Sequence, residues 1–390
     1  MSNKTVYVLG AGFSMDAGAP SQAAIVGAIY KLSKTYKKNS KKQIGGWVDA
    51  FDDFLTNCLK VSDDQKEWYP LEDIYTPIDR SISDRVSFKN YTVNDLVKLR
   101  NIVDRLVILA VRQYIEDSKK PKSSVNMFAH YLINEARHRL KNEKSDRVSV
   151  ITTNWDIMLD NKIHYLLQDE PPIKNVDFCG VVDYCCYISS LDEDDHSIKP
   201  GLYAIGKGGY NVKILKLHGS LNWMQCPKCQ RLYVKYYKSF NGGYVFDEKF
   251  CRHCEHNFNK VDDPSAKLSV NLIMPTFLKN LDNIQNKLIW QNAGIELSEA
   301  NKVVFIGYSI PQADFEFKQL LSRMIRTDAK IEVVLINTDN PLKDGKSKPD
   351  YQTAGYRFEN FFSGRSLEIY YEGVGNYLTK QLGLKPDADF

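Results

Sequence analysis

The chain has 390 residues, 43% hydrophobic and 26% charged, a globular composition that excludes a disordered, collagen-like or disulfide-knot protein. Its 52 basic and 48 acidic residues leave a formal net charge of +4, too little to bind nucleic acid through bulk charge, so we expect no direct nucleic-acid binding. No apolar run approaches the ~20 residues that span a bilayer, and residues 1–12 lack the apolar region of a signal peptide. We therefore expect a cytoplasmic protein that does not bind membranes.

The chain begins with a short apolar run, Thr5–Leu9, which leads into Gly10-Ala-Gly12. This order predicts a buried strand, a glycine turn and then a helix over residues 20–34. In dinucleotide-binding proteins such glycines let backbone amides approach a pyrophosphate, but the third glycine of that motif is Met15 here. The motif alone leaves open both nucleotide binding and a tight structural turn.

Further short apolar runs predict more buried strands along the chain. Helix-period stretches separate several of them, which is typical of an α/β fold with a Rossmann-like, doubly wound parallel sheet. The predicted strands lie near residues 5–9, 148–152, 214–217, 272–274, 303–306, 333–337 and 368–371. We expect this core to extend through the whole of residues 1–390.

A long insertion separates the first two predicted strands. Two amphipathic helices are predicted within it, over residues 94–116 and 127–140. We therefore predict a mainly helical insertion lobe over residues 36–130. The lysine-rich run at residues 30–42 is typical of a solvated helix end or loop.

Four of the eight cysteines form two CxxC pairs: Cys226 with Cys229, and Cys251 with Cys254. The 21 residues between the pairs suit four thiolates around one tetrahedral Zn²⁺. A redox function would need a helix starting behind each active cysteine, whereas the flanking residues alternate as in a small β-ribbon. We therefore predict a zinc ribbon over residues 224–261, whose structural ion has no open position for a substrate.

Polar side chains follow two of the predicted strands. Asn154 and Asp156 come after the strand near 148–152, and His218 comes after the strand near 214–217. Because ligands of open α/β sheets bind at the carboxyl ends of the strands, we expect these side chains to converge on the glycine turn. Taken singly, each has an ordinary explanation: an Asx turn for Asn154, a helix cap for Asp156 and a satisfied buried imidazole for His218.

The order of these motifs resembles the sirtuin superfamily. The matching segments are GAGFSMDAGAP (10–20), TTNWD (152–156), LHGS (217–220), the two CxxC pairs, FIGYSIP (305–311) and LIN (335–337). The likeness is scattered over about residues 5 to 384 and does not cover 36–130 motif by motif. Sirtuins bind NAD⁺ between a Rossmann-type domain and a smaller zinc domain, and they cleave the bond between nicotinamide and ribose.

The resemblance implies a role for each matching residue. It implies pyrophosphate contacts from Gly10, Ala11, Gly12 and Ser14, and contacts to the adenosine half from Gly307, Ser309 and Asn337. It also implies that Asn154 and Asp156 face the nicotinamide ribose and the leaving nicotinamide. His218 would be the general base.

The chain also departs from the deacetylating sirtuins. Residues 21–26 lack their Phe-Arg pair, Thr153 replaces a glutamine, and GYSI replaces GTSL. These changes are similar to those of divergent prokaryotic sirtuin-like proteins, many of which hydrolyse NAD⁺ in antiphage defence, some with a HerA-type hexameric ATPase.

The resemblance thus implies an NAD⁺ glycohydrolase (NADase) that depletes NAD⁺ in antiphage defence, in a homo-oligomer that has such an ATPase as its partner. Two alternatives stay open. One is an NAD-dependent protein deacylase, and the other is a catalytically idle scaffold that senses NAD⁺ or ADP-ribose.

Overall fold

The computed structural model describes residues 4–35, 41–237, 249–258, 263–279, 281–342 and 350–385. These residues form two β-sheets. The strands are β1 (Thr5–Leu9), β2 (Val148–Thr152), β3 (Gly180–Asp183), β4 (Ile188–Ser190), β5 (Tyr210–Lys216), β6 (Gly219–Gln225), β7 (Leu232–Val234), β8 (Ser269–Leu272), β9 (Lys302–Ile306), β10 (Lys330–Val334) and β11 (Leu367–Tyr370).

The larger sheet has seven strands in the order β11-β10-β9-β1-β2-β5-β3, and all its strand pairs are parallel. All five residues of β2 are buried, and so are four of the five in β1 and in β9. A parallel sheet buries both faces beneath helices, which is why these strands are almost continuously apolar. The predicted doubly wound α/β fold is confirmed.

The strand order reverses beside β1. From β1 the chain continues to β2 on one side, and it returns later on the opposite side as β9. The loops after β1 and β9 therefore leave the sheet next to each other, in the position where open α/β sheets bind their ligands.

Thirteen α-helices accompany the strands in the described residues. They are α1 (Ala11–Asp16), α2 (Ile25–Thr35), α3 (Lys41–Asp53), α4 (Leu71–Asp84), α5 (Val93–Asp117), α6 (Ser123–Ala136), α7 (Met158–Gln168), α8 (Gly201–Gly206), α9 (Arg252–Phe258), α10 (Ile284–Glu299), α11 (Phe315–Met324), α12 (Ala354–Phe361) and α13 (Val374–Lys380). None of them combines the length and the apolar character needed to cross a lipid bilayer.

The helix predicted over residues 20–34 is present as the 3-10 turn Gln22–Ala24 followed by α2, and an additional short helix, α1, lies before it. The six-residue helix α1 follows the glycine turn at once, and α2 begins only at Ile25. Between them, Gly18 has a φ of 96° in a short irregular segment. The apolar period of α2 was readable from sequence, whereas α1 is too short to display a period.

The predicted helical lobe is present, built from α2, α3, α4 and α5 around its own hydrophobic core. Helix α6, predicted as part of the insertion, instead packs on the sheet through Phe128 and Leu132. The cysteines Cys226, Cys251 and Cys254 belong to the same core as the lobe helices. The lobe and the cysteine module are thus one packed unit, while the predicted domain boundaries stay a prediction.

The smaller sheet has the strand order β4-β7-β6-β8. It lies between the main sheet and the packed unit of lobe and cysteine module, because its strands β6 and β7 contribute residues to both hydrophobic cores. The strand predicted near 272–274 is not part of the main sheet, because β8 ends at Leu272 and pairs antiparallel with β6. Strand β6 begins directly after His218, so the chain leaves the main sheet there and gives β8 a different partner. Of the predicted β-ribbon, β7 is described, and residues 238–248 and 259–261 lie outside the described residues.

The loops after β1 and β9 approach each other more closely than side chains allow. The Gly12 amide donates to the Gly307 carbonyl over 2.8 Å, and a Cβ on Gly12 would lie 2.7 Å from Gly307 Cα. Gly307 has a φ of 62°, and a Cβ there would lie 2.2 Å from the Phe13 amide nitrogen. Glycine is therefore required at both positions by the contact between the loops themselves.

Replacing Gly12 with alanine should lower the thermal unfolding temperature. The added methyl group has backbone on its far side, and such overpacking typically costs about 1–3 kcal/mol. Differential scanning fluorimetry of Gly12→Ala against the wild type measures the loss.

Gly46→Ala is the matched control. A Cβ on Gly46, inside α3, would meet no atom within 4 Å, and alanine favours a helix over glycine by about 1 kcal/mol. We expect an unchanged or raised unfolding temperature for this control. A Gly12→Ala protein as stable as the wild type would contradict the packing described.

Candidate active site

A cavity of about 590 Å³ lies at the carboxyl ends of the main-sheet strands. This volume is within the range of about 300–1,000 Å³ that is usual for small-molecule sites. Its wall comes from the loops after β1, β2, β5, β9, β10 and β11, and from Val111 and Lys120 next to the lobe. The cavity therefore crosses the point where the strand order reverses.

Eight of the ten non-cysteine candidate residues line this cavity. They are Ala11, Gly12, Ser14, Asn154, Asp156, His218, Gly307 and Ser309. Gly10, the first residue of the glycine turn, does not line the cavity, and its amide donates to the Ile306 carbonyl over 3.0 Å. Asn337 is exposed and is not part of the wall, but Asp339, two residues further on, is.

The Asn154 side chain ties the end of β2 to the glycine turn. Its Nδ2 donates to the Gly10 carbonyl over 2.8 Å and to Ser14 Oγ over 3.0 Å. The side-chain amide of Asn154 therefore bonds to the glycine turn and α1, and it does not form the Asx turn that was its ordinary explanation. Both hydrogens of the amide are used, so Oδ1 is the side-chain atom left for a ligand.

Asp156 does not make the helix cap that was its ordinary explanation, because the N-cap residue of α7 is Ile157, and Asp156 forms an Asx turn just before the helix. Its Oδ1 accepts from the Met158 amide over 3.1 Å at the start of α7. Its carbonyl accepts from Lys216 Nζ over 2.5 Å, and that ammonium lies 3.6 Å from the buried Asp160 carboxylate. The loop after β2 is thus held rigidly, and a contact of Asp156 with a nicotinamide stays a prediction.

His218 is only 7% exposed, and main-chain bonds fix its position at the end of β5. Its carbonyl accepts from the Ile273 amide over 2.9 Å, and the preceding carbonyl, that of Leu217, accepts from Trp290 Nε1 over 3.0 Å. The imidazole hydrogen-bonds to the Thr153 backbone, but Nε2 has no hydrogen-bond partner among the described residues. The explanation of a fully satisfied imidazole therefore fails for Nε2.

Burial lowers the pKa of His218 below its ordinary value of 6.5. The Asp314 carboxylate opposes this shift, the Lys279 ammonium adds to it, and the more distant Glu316 opposes it slightly. The net effect keeps the imidazole neutral at pH 7, the form in which it accepts a proton.

Asp314 is a site residue that the sequence did not indicate. Its Oδ1 lies 3.6 Å from His218 Nε2 and accepts from Lys279 Nζ over 2.9 Å, and its Oδ2 accepts from the Tyr308 hydroxyl over 3.1 Å. Burial alone would raise the pKa of Asp314, but the charge of Lys279 and the hydrogen bonds from Lys279 and Tyr308 lower it, and the His218 imidazole lowers it further when it is protonated. The carboxylate is therefore ionised, and it also lines the cavity.

Asp339 is the second site residue that the sequence did not indicate. Burial raises the pKa of its carboxyl group, which accepts weakly from the Ile336 amide at the end of β10. An acidic side chain beside a glycine turn often binds a ribose hydroxyl in dinucleotide sites. Asp339 lines the cavity whereas Asn337 does not, and the contact of Asn337 with the adenosine half stays a prediction.

The loop after β9 carries backbone strain. Ile310 has a φ of 50°, in the left-handed region that a β-branched residue rarely adopts, and it stands directly before Pro311. The neighbouring Ser309 carbonyl accepts from Arg357 Nε over 2.7 Å. Strain of this kind persists only where the surrounding structure enforces it, and it concentrates at ligand sites.

The four predicted metal ligands form one cluster. Their Sγ atoms all lie within 4.8 Å of one another, with 3.8 Å between Cys226 and Cys254 and 3.7 Å between Cys229 and Cys251. A tetrahedral ion at a Zn–S distance of about 2.3 Å requires sulfurs about 3.8 Å apart, so the four cysteines fit Zn²⁺. One expectation is corrected, because α9 begins directly behind Cys251, whereas no helix start was expected behind the cysteines.

No family model matches the chain, and no curated protein matches it. It is similar to solved structures of Sir2 enzymes. One, on the mechanism and regulation of Sir2 enzymes, is 12% identical over 98% of this chain and 91% of that chain, with a TM-score of 0.38. A Sir2 complex with a p53 peptide and NAD⁺ is 14% identical over 98% and 94%, with a TM-score of 0.36. A Sir2 homologue mutant with ADP-ribose is 13% identical over 98% and 95%, with a TM-score of 0.41.

Replacing one cluster cysteine should remove the metal and destabilise the protein. In Cys254→Ser three thiolates remain, and the module loses the ion that joins its two CxxC pairs. We expect zinc content, measured by plasma mass spectrometry, to fall from one ion per chain to a small fraction of that. The unfolding temperature should fall as well, because the cysteines belong to the lobe core.

Cys186→Ser is the control, since Cys186 is half-buried and outside the cluster. It should keep its zinc. Wild-type protein that carries no zinc after purification in zinc-containing medium would contradict the assignment.

Proposed function

We propose that the chain is an NAD⁺ glycohydrolase that cleaves NAD⁺ to nicotinamide and ADP-ribose. The observation that carries the proposal is the buried, unpartnered Nε2 of His218 in the wall of a cavity at the point where the strand order reverses. A neutral imidazole with a free acceptor nitrogen is suited to take a proton from an attacking nucleophile. The motif resemblance to sirtuins supports NAD⁺ as the substrate.

The order of residues around the cavity suits a dinucleotide. Asp339 would accept from a hydroxyl group of the adenosine ribose, and the glycine turn would face the pyrophosphate. The nicotinamide ribose would then lie between Asn154 and His218, on the β2 and β5 side. The amides of Gly10 and Gly12 already bond to the β9 loop, so the pyrophosphate contacts would come from Ala11 and Ser14 instead.

The chemistry needs a positioned ribose and a base. The bond between C1′ and nicotinamide breaks through a state with positive charge on the ribose, which the carboxylates of Asp156 and Asp314 would stabilise. Asn154, held by Gly10 and Ser14, would orient a ribose hydroxyl or the attacking water through Oδ1. His218 would take the proton.

The four cysteines would hold a structural Zn²⁺. Four thiolates leave no open coordination position, so the ion would join the two CxxC pairs and take no part in the reaction.

The proposal includes the finer expectations from the resemblance. These are a role in antiphage defence, a homo-oligomer that restrains activity until a trigger arrives, a HerA-type ATPase partner and a cytoplasmic location. The lobe residues Val111 and Lys120 in the cavity wall, and the missing Phe-Arg pair, favour hydrolysis over deacylation.

Purified protein incubated with NAD⁺ should release nicotinamide and ADP-ribose without any acetylated peptide, as measured by chromatography. His218→Ala and Asn154→Ala should each lower kcat by about 10²- to 10⁴-fold, because each removes a group that handles the proton or the nucleophile. The fold should survive in both variants.

His138→Ala, outside the cavity, is the control and should keep wild-type turnover. Full turnover by both site variants would refute the site assignment. Product formed only with an acetylated peptide would favour the deacylase, whereas NAD⁺ binding without turnover would favour the sensing scaffold.

The pH dependence of kcat/KM should report the shifted base. Since burial lowers the pKa of His218, the imidazole is still neutral, and able to accept a proton, somewhat below pH 6.5. The activity is lost only as the pH falls through this lowered pKa and the ring becomes protonated. We expect the midpoint of the acid limb below 6.5, measured by initial rates of nicotinamide release. An acid limb centred at or above 6.5 would contradict a buried imidazole base.

A further inference from the structure

His218 Nε2 and Asp314 Oδ1 face each other across 3.6 Å. Both side chains are 9% exposed, and both residues line the cavity. This distance is too long for a direct hydrogen bond, and polar atoms so separated are commonly bridged by a third group. An oxygen atom placed about 2.8 Å from each of them would bond to both.

Both facing atoms are acceptors. The imidazole uses its other nitrogen for the hydrogen bond to the Thr153 backbone, so Nε2 of the neutral ring carries a lone pair. The Asp314 carboxylate has no hydrogen to donate. The ammonium of Lys279, whose side chain is fully buried, also donates to Oδ1, and the Tyr308 hydroxyl donates to Oδ2, so both oxygens of the carboxylate are held in place.

Two acceptors require two hydrogens from the bridging oxygen. Water has two hydrogens, whereas a ribose hydroxyl or an alcohol has one and would leave one buried acceptor unpaired, which costs about 1–3 kcal/mol. We propose that His218 Nε2 and Asp314 Oδ1 together hold the attacking water, and that Asp314 is a catalytic residue which selects water as the nucleophile. This inference rests on the proposed hydrolysis of NAD⁺.

The step balances with these groups alone. The C1′–N bond breaks and its electron pair goes to the nicotinamide ring nitrogen, which leaves neutral. The water oxygen bonds to C1′ through a lone pair, since both of its hydrogens point to the acceptors. One proton goes to Nε2, and the other stays on the new hydroxyl group, bonded to Asp314. The imidazolium that forms lies beside the Asp314 carboxylate, which stabilises it.

The same geometry disfavours acyl transfer. In a deacylase the base must activate a ribose hydroxyl for attack on the acyl intermediate, and that hydroxyl supplies a single hydrogen. A site with two facing acceptors therefore favours a water-consuming enzyme. The position of His218 in the cavity would allow either water or a hydroxyl group as the nucleophile. The facing Asp314 carboxylate favours water.

The test measures the partition between water and methanol during turnover. NAD⁺ is cleaved in buffer containing methanol, and ADP-ribose and methyl ADP-riboside are separated by chromatography. The wild type should form little of the methyl product, because methanol cannot pair both acceptors. Asp314→Asn should lower kcat about 10²-fold, leave KM for NAD⁺ unchanged and raise the methyl fraction.

Glu316→Gln is the matched control. Glu316 also contacts Lys279, over 3.2 Å, but it is not part of the cavity wall. It should keep the wild-type rate and partition. Only active enzyme forms either product, so the ratio of methyl ADP-riboside to ADP-ribose does not depend on how much of the protein is folded. If Asp314→Asn does not fold, Asp314→Glu, which keeps the charge beside Lys279 but moves the oxygen, gives the same comparison.

A wild-type partition in the folded Asp314 variant, or an equal change in Glu316→Gln, would overturn the inference and leave the hydrolase proposal intact. A wild type that releases no nicotinamide, or releases it only with an acylated peptide, would instead overturn the proposed function. The two failures are therefore distinguishable in one experiment.

Discussion

The contact between the loops after β1 and β9 is the constraint on which the site depends. Gly12 and Gly307 meet backbone to backbone, with no room for a side chain on either. This contact joins the two halves of the main sheet at their carboxyl ends, and Asn154 extends it by bonding to Gly10 and Ser14. Any ligand in the cavity therefore touches a surface whose parts are fixed relative to one another, the preorganisation that catalysis needs.

The buried charges around His218 follow from that frame. An isolated charge in such a place would cost several kcal/mol, so the ammonium of Lys279 and the carboxylate of Asp314 are retained only as a pair. Lys216 and Asp160 form a comparable pair beneath the loop after β2. These pairs are poor candidates for adding stability, because apolar residues of the same volume would serve as well. The pair of Lys279 and Asp314 has a reason in function: Asp314 lines the cavity, and Lys279 helps to keep its carboxylate ionised beside a neutral imidazole.

Much of the fold could be predicted from sequence, because the main strands are short apolar runs that fit only a doubly buried sheet. The apolar run near 272–274 was wrongly assigned to the main sheet, because an apolar run does not reveal which strand it pairs with. Strand β6 leaves the main sheet directly after His218 and pairs with β8 in the smaller sheet. The cysteine cluster was predictable from spacing, and its sulfurs lie where a tetrahedral ion needs them. The packing of that module with the helical lobe was not predictable, since no sequence pattern links a cysteine pair to helices so far away in the chain.

The candidate site was predictable where a residue followed a strand at once, as His218 and Asn154 do. Asp314 and Lys279 stand in loops of ordinary composition, 35 positions apart in the chain, and only the fold brings them together. Asn337 was chosen for its place in a motif, whereas the turn after β10 directs Asp339 to the cavity. Sequence reasoning thus identified the strand ends and missed the side chains that reach them from elsewhere.

An experimental structure of the protein with ADP-ribose tests the central claim most directly. The account predicts the pyrophosphate against Ala11 and Ser14, the adenosine ribose at Asp339, and C1 of the terminal ribose between Asn154 and His218. The hydroxyl group on that carbon, which carries the former water oxygen, should lie within hydrogen-bond distance, about 3 Å, of both His218 Nε2 and Asp314 Oδ1. ADP-ribose bound in the reverse direction, or outside this cavity, would contradict the account.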